Sequence, residues 1–212
     1  MESVEARHVP VLDALKFLGL WFRRPRSMGA IVPSSGQLAK AIARQVDFDR
    51  PGVIVELGGG TGSITRALAE RAAAGDEIVV VEREASLSAG LAARFPGIRV
   101  ICGDAEDLHE LLTAAGIGPV KAIVSGLPLL SISRRSRERI IRQCFAVLAR
   151  DGVFLQFTYG LTCPVRRSAA TRARITGCRA GWVLRNLPPA TLWRYRWDES
   201  LAPAMAEVRD AA

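Results

Sequence analysis

Five strand-like apolar runs alternating with helical stretches, a glycine-dense turn after the first run and two closing β-like segments predict an α/β chain. Its expected core is a seven-stranded, mostly parallel sheet with helices on both faces and a C-terminal antiparallel hairpin. The runs are VIVEL (53–57), EIVVVE (77–82), IRVIC (98–102), KAIVS (121–125) and VFLQFTY (153–159). Continuous apolar runs of this length suit strands covered on both faces. Between them SITRALAERAA, SLSAGLAARF, AEDLHELLTAA and SRERIIRQCFAVLA read as helices. GWVLRNL and TLWRYRW follow, joined through Pro188 and Pro189, a link too short for a crossover and suited to an antiparallel pair.

At 212 residues the chain suits one domain with a full core. Residues 36–200 are expected to form it, with 1–35 standing outside and 201–212 reading as a loose tail. The four cysteines, Cys102, Cys144, Cys163 and Cys178, are scattered, without a C-x-x-C pair or a histidine beside them. That spacing argues against a zinc site and a disulfide framework, so no metal is expected, and it fits a reducing cytoplasm. The opening MESVEARHVP lacks a basic segment followed by an apolar core, so no secretory signal is read there.

Pro10 is a plausible helix start, and VLDALKFLGLWF follows it. At helical spacing Asp13 and Lys16 mark a narrow polar side, while Val11, Leu15, Leu18 and Phe22 line the opposite face with Trp21 beside them. Arg23, Arg24 and Arg26 come next. A segment this short cannot span a bilayer, which takes about 20 apolar residues. It can lie in the interface, with Trp21 at headgroup depth, Phe22 on the apolar face and the arginines on anionic lipid phosphates. The alternative is a helix packed over the sheet or over a ligand pocket. The net charge of +8, with 26 of 29 basic residues arginine, favours a polyanionic partner but does not choose between lipid and RNA.

The turn after the first run, ELGGGTG, joins an acid, Glu56, to Gly58, Gly60, Thr61 and Gly62, and Glu82 closes the second run. Glycines there let backbone approach a ligand, and an acid at the end of the second strand sits where doubly wound sheets grip ribose hydroxyls. A dinucleotide fingerprint needs G-x-G-x-x-G. Here the order is G-x-G-x-G, and ELGGGTG resembles the E/D-x-G-x-G-x-G motif of the Rossmann-like class I S-adenosylmethionine-dependent methyltransferases. That resemblance implies that Glu82, with Arg83 beside it, holds the ribose, and that Asp104, with Ala105, meets the adenine amino group.

At the end of the fourth run SGLPLLS (125–131) offers Ser125 and loop carbonyls, with Pro128 stiffening the turn. Methyltransferases acting on amino groups commonly carry a D/N/S-x-x-P-like turn here. An amine attacks a sulfonium methyl only when neutral and in line with the departing sulfur, so Ser125 and the Gly126–Leu127 backbone are candidates to orient it. Tyr159, ending the fifth run, falls on the same edge and can hold a cation against its ring or orient the amine through its hydroxyl. A core role for Tyr159 fits equally well. His8 and His109 assemble with nothing.

RRPRSMGAIVPSSGQLA, ELGGGTG, SGLPLLS, QFTYG followed by CPV, and RNLPPA together resemble the small bacterial phosphatidylethanolamine N-methyltransferases of the type without membrane-spanning segments. The likeness runs from about Phe17 to Trp197. These enzymes resemble ribosomal RNA adenine dimethyltransferases in fold but lack their C-terminal helical domain. The resemblance implies stepwise methylation of phosphatidylethanolamine toward phosphatidylcholine, releasing S-adenosylhomocysteine each time. It also implies an N-terminal helix attached to the anionic inner face of the cell membrane, and Ser34 and Ser35 closing over the cofactor. Neither nucleic acid nor an obligate protein partner is expected. One departure is Gly59, where the family pattern has proline; a slightly looser turn with no lost contact is expected. RNA adenine methylation and a non-catalytic membrane-binding protein are the alternatives, the first disfavoured because no aromatic follows Pro128 to stack on a flipped base.

Overall fold

The computed structural model describes residues 36–159, 161–165, 174–184, 186 and 189–198. The expected N-terminal amphipathic helix and the tail from 201 lie outside the described residues. Helix α1 (Gly36–Ala43) precedes β1 (Gly52–Leu57), α2 (Ser63–Ala69), β2 (Asp76–Glu82), α3 (Ala85–Arg94) and β3 (Arg99–Cys102). A 3-10 turn (Ala105–Asp107) leads into α4 (Leu108–Ala114), and then come β4 (Val120–Ser125), α5 (Arg134–Val147), β5 (Leu148–Tyr159), β6 (Ile175–Val183) and β7 (Ala190–Trp197).

The strands form one seven-stranded sheet in the order β3-β2-β1-β4-β5-β7-β6. The first five are parallel, and β7 runs antiparallel to both β5 and β6. The buried faces follow from the alternation of each strand. On one face Ile54, Val80, Val124 and Leu155 meet Leu38, Ile42, Ile64, Leu68 and Leu91 from α1, α2 and α3. On the other, Val55, Val79, Ile123 and Phe154 meet Leu108, Leu112, Ile140 and Phe145 from α4 and α5. Phe145 packs edge-on against Phe154 at 6.1 Å and Trp197 at 5.2 Å between centroids, tying α5 to the terminal hairpin. No helix among the described residues is long and apolar enough to cross a membrane.

The architecture is the one the sequence predicts, with two strands longer than their apolar runs. β5 begins at Leu148, five residues before Val153, because Arg150, Asp151 and Gly152 interrupt the run while Leu148 still pairs with Val120. β6 begins at Ile175 and shares only Gly181–Val183 with the expected GWVLRNL segment. It is the sheet edge, so Thr176, Gly177 and Cys178 are exposed and leave no apolar signature. Helix α1 had no predicted counterpart.

Parallel strands bring Leu57, Glu82, Cys102, Ser125 and Tyr159 to one carboxyl edge of the sheet. Because the last two strands alternate in direction, Ala190 and Val183 join that edge in register with Tyr159. The buried Lys121–Asp76 ion pair closes the opposite edge, with the Lys121 ammonium also bonded to the Arg50 carbonyl.

Candidate cofactor and substrate site

The glycine turn leaves β1 with Gly58, Gly60 and Gly62 at φ of 74°, 50° and 80°, left-handed conformations that disfavour any residue with a Cβ. Their surroundings differ. A Cβ on Gly58 would stand 2.8 Å from Leu127 Cδ2, and one on Gly62 would stand 2.7 Å from the Phe95 ring. A Cβ on Gly60 would meet nothing within 4 Å. Gly60 is thus the member of the turn whose outer side is open, as a backbone that receives a ligand requires. Gly59, the departure from the family pattern, is buried. A Cβ there would come within 2.5 Å of Val80 Cγ1 and 2.7 Å of Leu91 Cδ1. The space a proline ring would take is filled by these two side chains, so the turn is packed tight at Gly59 and not loosened.

Glu56 is fully buried under this turn. Thr65 Oγ1, one helical turn into α2, donates to Glu56 Oε2 at 2.6 Å, while Oε1 has no partner. Burial pushes the Glu56 carboxyl up to about 8, the Thr65 bond opposing the rise. Glu82 ends β2 facing the same turn. Its Oε2 accepts from the Gly60 N–H at 3.0 Å and its Oε1 from the Glu84 N–H at 2.9 Å. Each carboxylate oxygen keeps a second acceptor position, so Glu82 can brace the turn and still receive two hydroxyls. Thr61 Oγ1 lies 3.3 Å from Ser63 Oγ, and the Thr61 carbonyl accepts from the Arg94 guanidinium.

Asp104 follows β3 and caps the 3-10 turn, its Oδ1 accepting from the Glu106 N–H at 2.9 Å. Its Oδ2 lies 3.4 Å from Arg83 Nη1, and Ala105 is buried directly after it. Arg83 is mostly exposed, so this ion pair is weak and leaves the Asp104 side chain able to turn to a ligand.

The SGLP loop touches the glycine turn backbone to backbone. The Gly126 N–H donates to the Leu57 carbonyl at 2.8 Å, and a Cβ on Gly126 would stand 2.8 Å from the Gly58 carbonyl. Ser125 is buried, and its Oγ accepts from the Leu127 N–H at 3.3 Å, which leaves its own hydroxyl proton to donate. The Leu127 carbonyl accepts twice, from the Leu129 N–H at 2.9 Å and from Gln156 Nε2 at 3.1 Å. Both of its lone pairs are therefore occupied within the loop. Tyr159 is half-buried at the end of β5; burial raises its hydroxyl pKa, opposed by a hydrogen bond to Asn186, so it is a neutral phenol at physiological pH.

The structure thus brings Glu56, Gly58, Gly60, Thr61, Gly62, Glu82, Arg83, Asp104, Ala105, Ser125, Leu127 and Tyr159 to one edge of the sheet. Ser34, Ser35, Trp21, Phe22, Arg23, Arg24 and Arg26 lie outside the described residues. Two further residues emerge only from the fold, Thr65, which bonds Glu56, and Gln156, which holds Leu127; for Gly126, already a candidate, the fold adds the fit against Gly58. A polar side chain inside the buried run VFLQFTY was the available signal for Gln156.

A sheet edge with an open glycine turn and a carboxylate keeping two acceptor positions fits a nucleoside cofactor bearing ribose hydroxyls. The comparisons with known proteins agree. Residues 54–152 match the model of a methyltransferase domain. The chain is 34% identical over 149 residues to the ornithine lipid N-methyltransferase of Singulisphaera acidiphila, covering 69% of this chain and 78% of that protein. Among solved structures, the fold matches the 1,6-didemethyltoxoflavin-N1-methyltransferase of Burkholderia thailandensis, crystallised with S-adenosylhomocysteine, at a TM-score of 0.63 and 18% identity over 92% of this chain and 94% of that one. It also matches a TehB-like S-adenosylmethionine-dependent methyltransferase of Corynebacterium glutamicum at a TM-score of 0.58 and 16% identity, covering 88% of this chain and 99% of that one. The chain belongs to the class I S-adenosylmethionine-dependent methyltransferases.

Proposed function

We propose that this enzyme methylates the amine of phosphatidylethanolamine, stepwise toward phosphatidylcholine, while attached peripherally to the inner face of the cell membrane. The observation that carries the reading is the lipid N-methyltransferase relative, whose likeness spans 78% of its own length. The relative is an ornithine lipid N-methyltransferase, which favours a second reading in which the acceptor is the amine of an aminoacyl lipid. Both substrates offer a primary amine at a bilayer surface, and the SGLP motif with its neighbouring tyrosine suits either.

In this reading Glu82 accepts the ribose hydroxyls, Asp104 with Ala105 and Arg83 lies at the adenine end, and the Gly58–Gly62 turn, with Glu56 buried beneath it, lines the methionyl end. S-adenosylmethionine supplies the methyl group as an activated sulfonium. Ser125 and Tyr159 orient the amine. With both lone pairs of the Leu127 carbonyl in use, the loop's backbone shapes the pocket while Ser125 Oγ and the Tyr159 hydroxyl are left to accept from the substrate N–H. Neither is a strong base, so the ammonium proton leaves to water before attack. The packing of Gly126 on Gly58 fixes the spacing between cofactor turn and substrate loop, which the near-attack distance of about 3–3.5 Å demands.

The test is transfer of labelled methyl from S-adenosylmethionine to vesicles of phosphatidylethanolamine with phosphatidylglycerol, beside vesicles carrying an ornithine lipid and beside RNA. Label in mono-, di- and trimethylated phosphatidylethanolamine is the expected result. Label in the ornithine lipid alone would replace the acceptor, and label in RNA alone would overturn both lipid readings.

A further inference from the structure

The net charge of this protein is concentrated. Between residues 161 and 198 the sequence holds eight arginines and a single acid, Asp198, so this stretch carries +7 of the chain's net +8. In the fold it includes β6 and β7; Arg179 is exposed beside Trp182, while the exposed Arg174 and Arg196 lie at the opposite end of the hairpin, where Thr176 pairs with Arg196. The apolar surface is concentrated too. Among the described residues the large exposed hydrophobic side chains are Leu161, Trp182 and Leu184, at 65%, 46% and 71% exposure.

Strand register places all three at the carboxyl edge. Val183, Ala190 and Tyr159 form one row across β6, β7 and β5. Leu184 lies one residue past that row and Leu161 two residues past it, while Trp182 precedes Val183 by one. They therefore flank the end of the sheet that bears Tyr159, with β6 standing two strand spacings, roughly 10 Å, from β5. The Arg179 guanidinium lies 4.9 Å from the centroid of the Trp182 ring.

From this we infer that the C-terminal hairpin is a membrane-docking surface in its own right, separate from the N-terminal segment, and that its occupant is an anionic bilayer interface. Trp182 sits at headgroup depth, Leu161 and Leu184 enter the acyl boundary, and Arg179 beside Trp182 meets the lipid phosphates. A nucleic acid would also meet Arg179 and stack on Trp182, but the two bare leucines offer it neither hydrogen bonds nor a stacking face, whereas an acyl boundary takes both. The inference rests on the lipid reading above and gives it a geometry: docking by this hairpin presents the site's own edge of the sheet to the bilayer, so that a headgroup amine reaches Tyr159 and Ser125 without leaving the membrane plane.

The test uses the full chain carrying Trp21→Phe, with vesicles of phosphatidylethanolamine and phosphatidylglycerol whose acyl chains are brominated. Trp193 and Trp197 are partly buried against the core and donate to Thr158 and the Leu148 carbonyl, so most quenching by the lipid bromines should come from Trp182 and be lost when Trp182→Phe is added. In the otherwise unchanged chain, Leu184→Asp should lower vesicle partitioning by about tenfold. Calorimetric binding of S-adenosylmethionine should remain unchanged, as a check on folding. Equal quenching with and without Trp182, or unaltered partitioning of the Leu184→Asp protein, overturns the inference. So does quenching relieved by RNA but not by unbrominated vesicles. Quenching of Trp182 without methyl transfer to any lipid would leave the docking surface standing and remove the proposed function, and the converse result would do the reverse.

Discussion

Thr65 Oγ1 donates to Glu56 Oε2 at 2.6 Å, the hydrogen bond that links the last turn of β1 to the first turn of α2 beneath the cofactor turn. It satisfies one oxygen of a carboxyl that has no contact with solvent and leaves the other, Oε1, without a partner. The arrangement favours the protonated acid, and this has a thermodynamic signature.

Glu56 holds its proton up to about pH 8 in the folded chain, against an ordinary value of 4.5. Between those limits the folded state binds more protons than the unfolded one. The Glu56 contribution is therefore fully present below pH 4.5 and is lost as pH rises through about 8. Urea midpoints taken from pH 5 to pH 9 should fall with pH by an amount that Glu56→Gln removes. Parallel midpoint profiles for the two proteins would show that the carboxyl is ionised throughout.

The glycines of the turn separate packing from ligand access. Gly60→Ala meets no atom within 4 Å, so it should cost only backbone strain of about 1 kcal/mol. Its methyl group nevertheless occupies the open side of the turn, and affinity for S-adenosylmethionine should drop at least about tenfold. Gly58→Ala adds a 2.8 Å collision with Leu127 to the same strain and should be the less stable of the two. Thermal midpoints and calorimetric titration distinguish them. If Gly60→Ala binds the cofactor normally, the turn does not face it.

The sheet and the glycine turn were legible in the sequence because a parallel strand buried on both faces leaves an unbroken apolar run, and because G-x-G-x-G marks positions that only φ above zero satisfies. Their boundaries blurred where that signal lapses. β6 is an edge strand of Thr176, Gly177 and Cys178, and β5 starts through Asp151 and Gly152. The candidate site was legible in its acids, its glycines and the SGLP turn, but not in its internal bonding. Thr65 lies nine residues from Glu56 and Gln156 lies 29 from Leu127, so only the fold reveals those pairs. Gly59 shows the same limit. Motif comparison treats it as a missing proline, whereas Val80 and Leu91 fill the place a ring would take.

Far from the site, the Asp76 side chain is fully buried and that of Lys121 nearly so, and the lysine also lies over the Phe48 ring at 5.5 Å. Removing one partner strands the other's charge. Lys121→Met should cost about 3–5 kcal/mol, and adding Asp76→Asn should restore much of it. Denaturant midpoints of the single and double variants measure the difference. Methyl transfer by the folded fraction should be unchanged in both, because the pair closes the amino edge of the sheet.

Gln156 is the residue through which β5 acts on the substrate loop. It is fully buried opposite Ser125 in the β4–β5 register, and its Nε2 donates to the carbonyls of Leu127 and Phe157. Its Oε1 has no partner, so its own burial is not stabilising. Gln156→Leu nearly keeps the volume and removes that unsatisfied oxygen along with the donor to the Leu127 and Phe157 carbonyls, changes of opposite sign, so stability should move by no more than about 2 kcal/mol. The loop, freed at Leu127, should lose the alignment that attack demands. We expect kcat to fall by about tenfold or more with the KM for S-adenosylmethionine unchanged, because no cofactor contact is altered. Gln156→Asn, one methylene too short to reach the carbonyl, should show the same split, which a general loss of packing would not produce. Equal loss of cofactor binding and turnover in both variants would instead assign Gln156 to the integrity of the sheet.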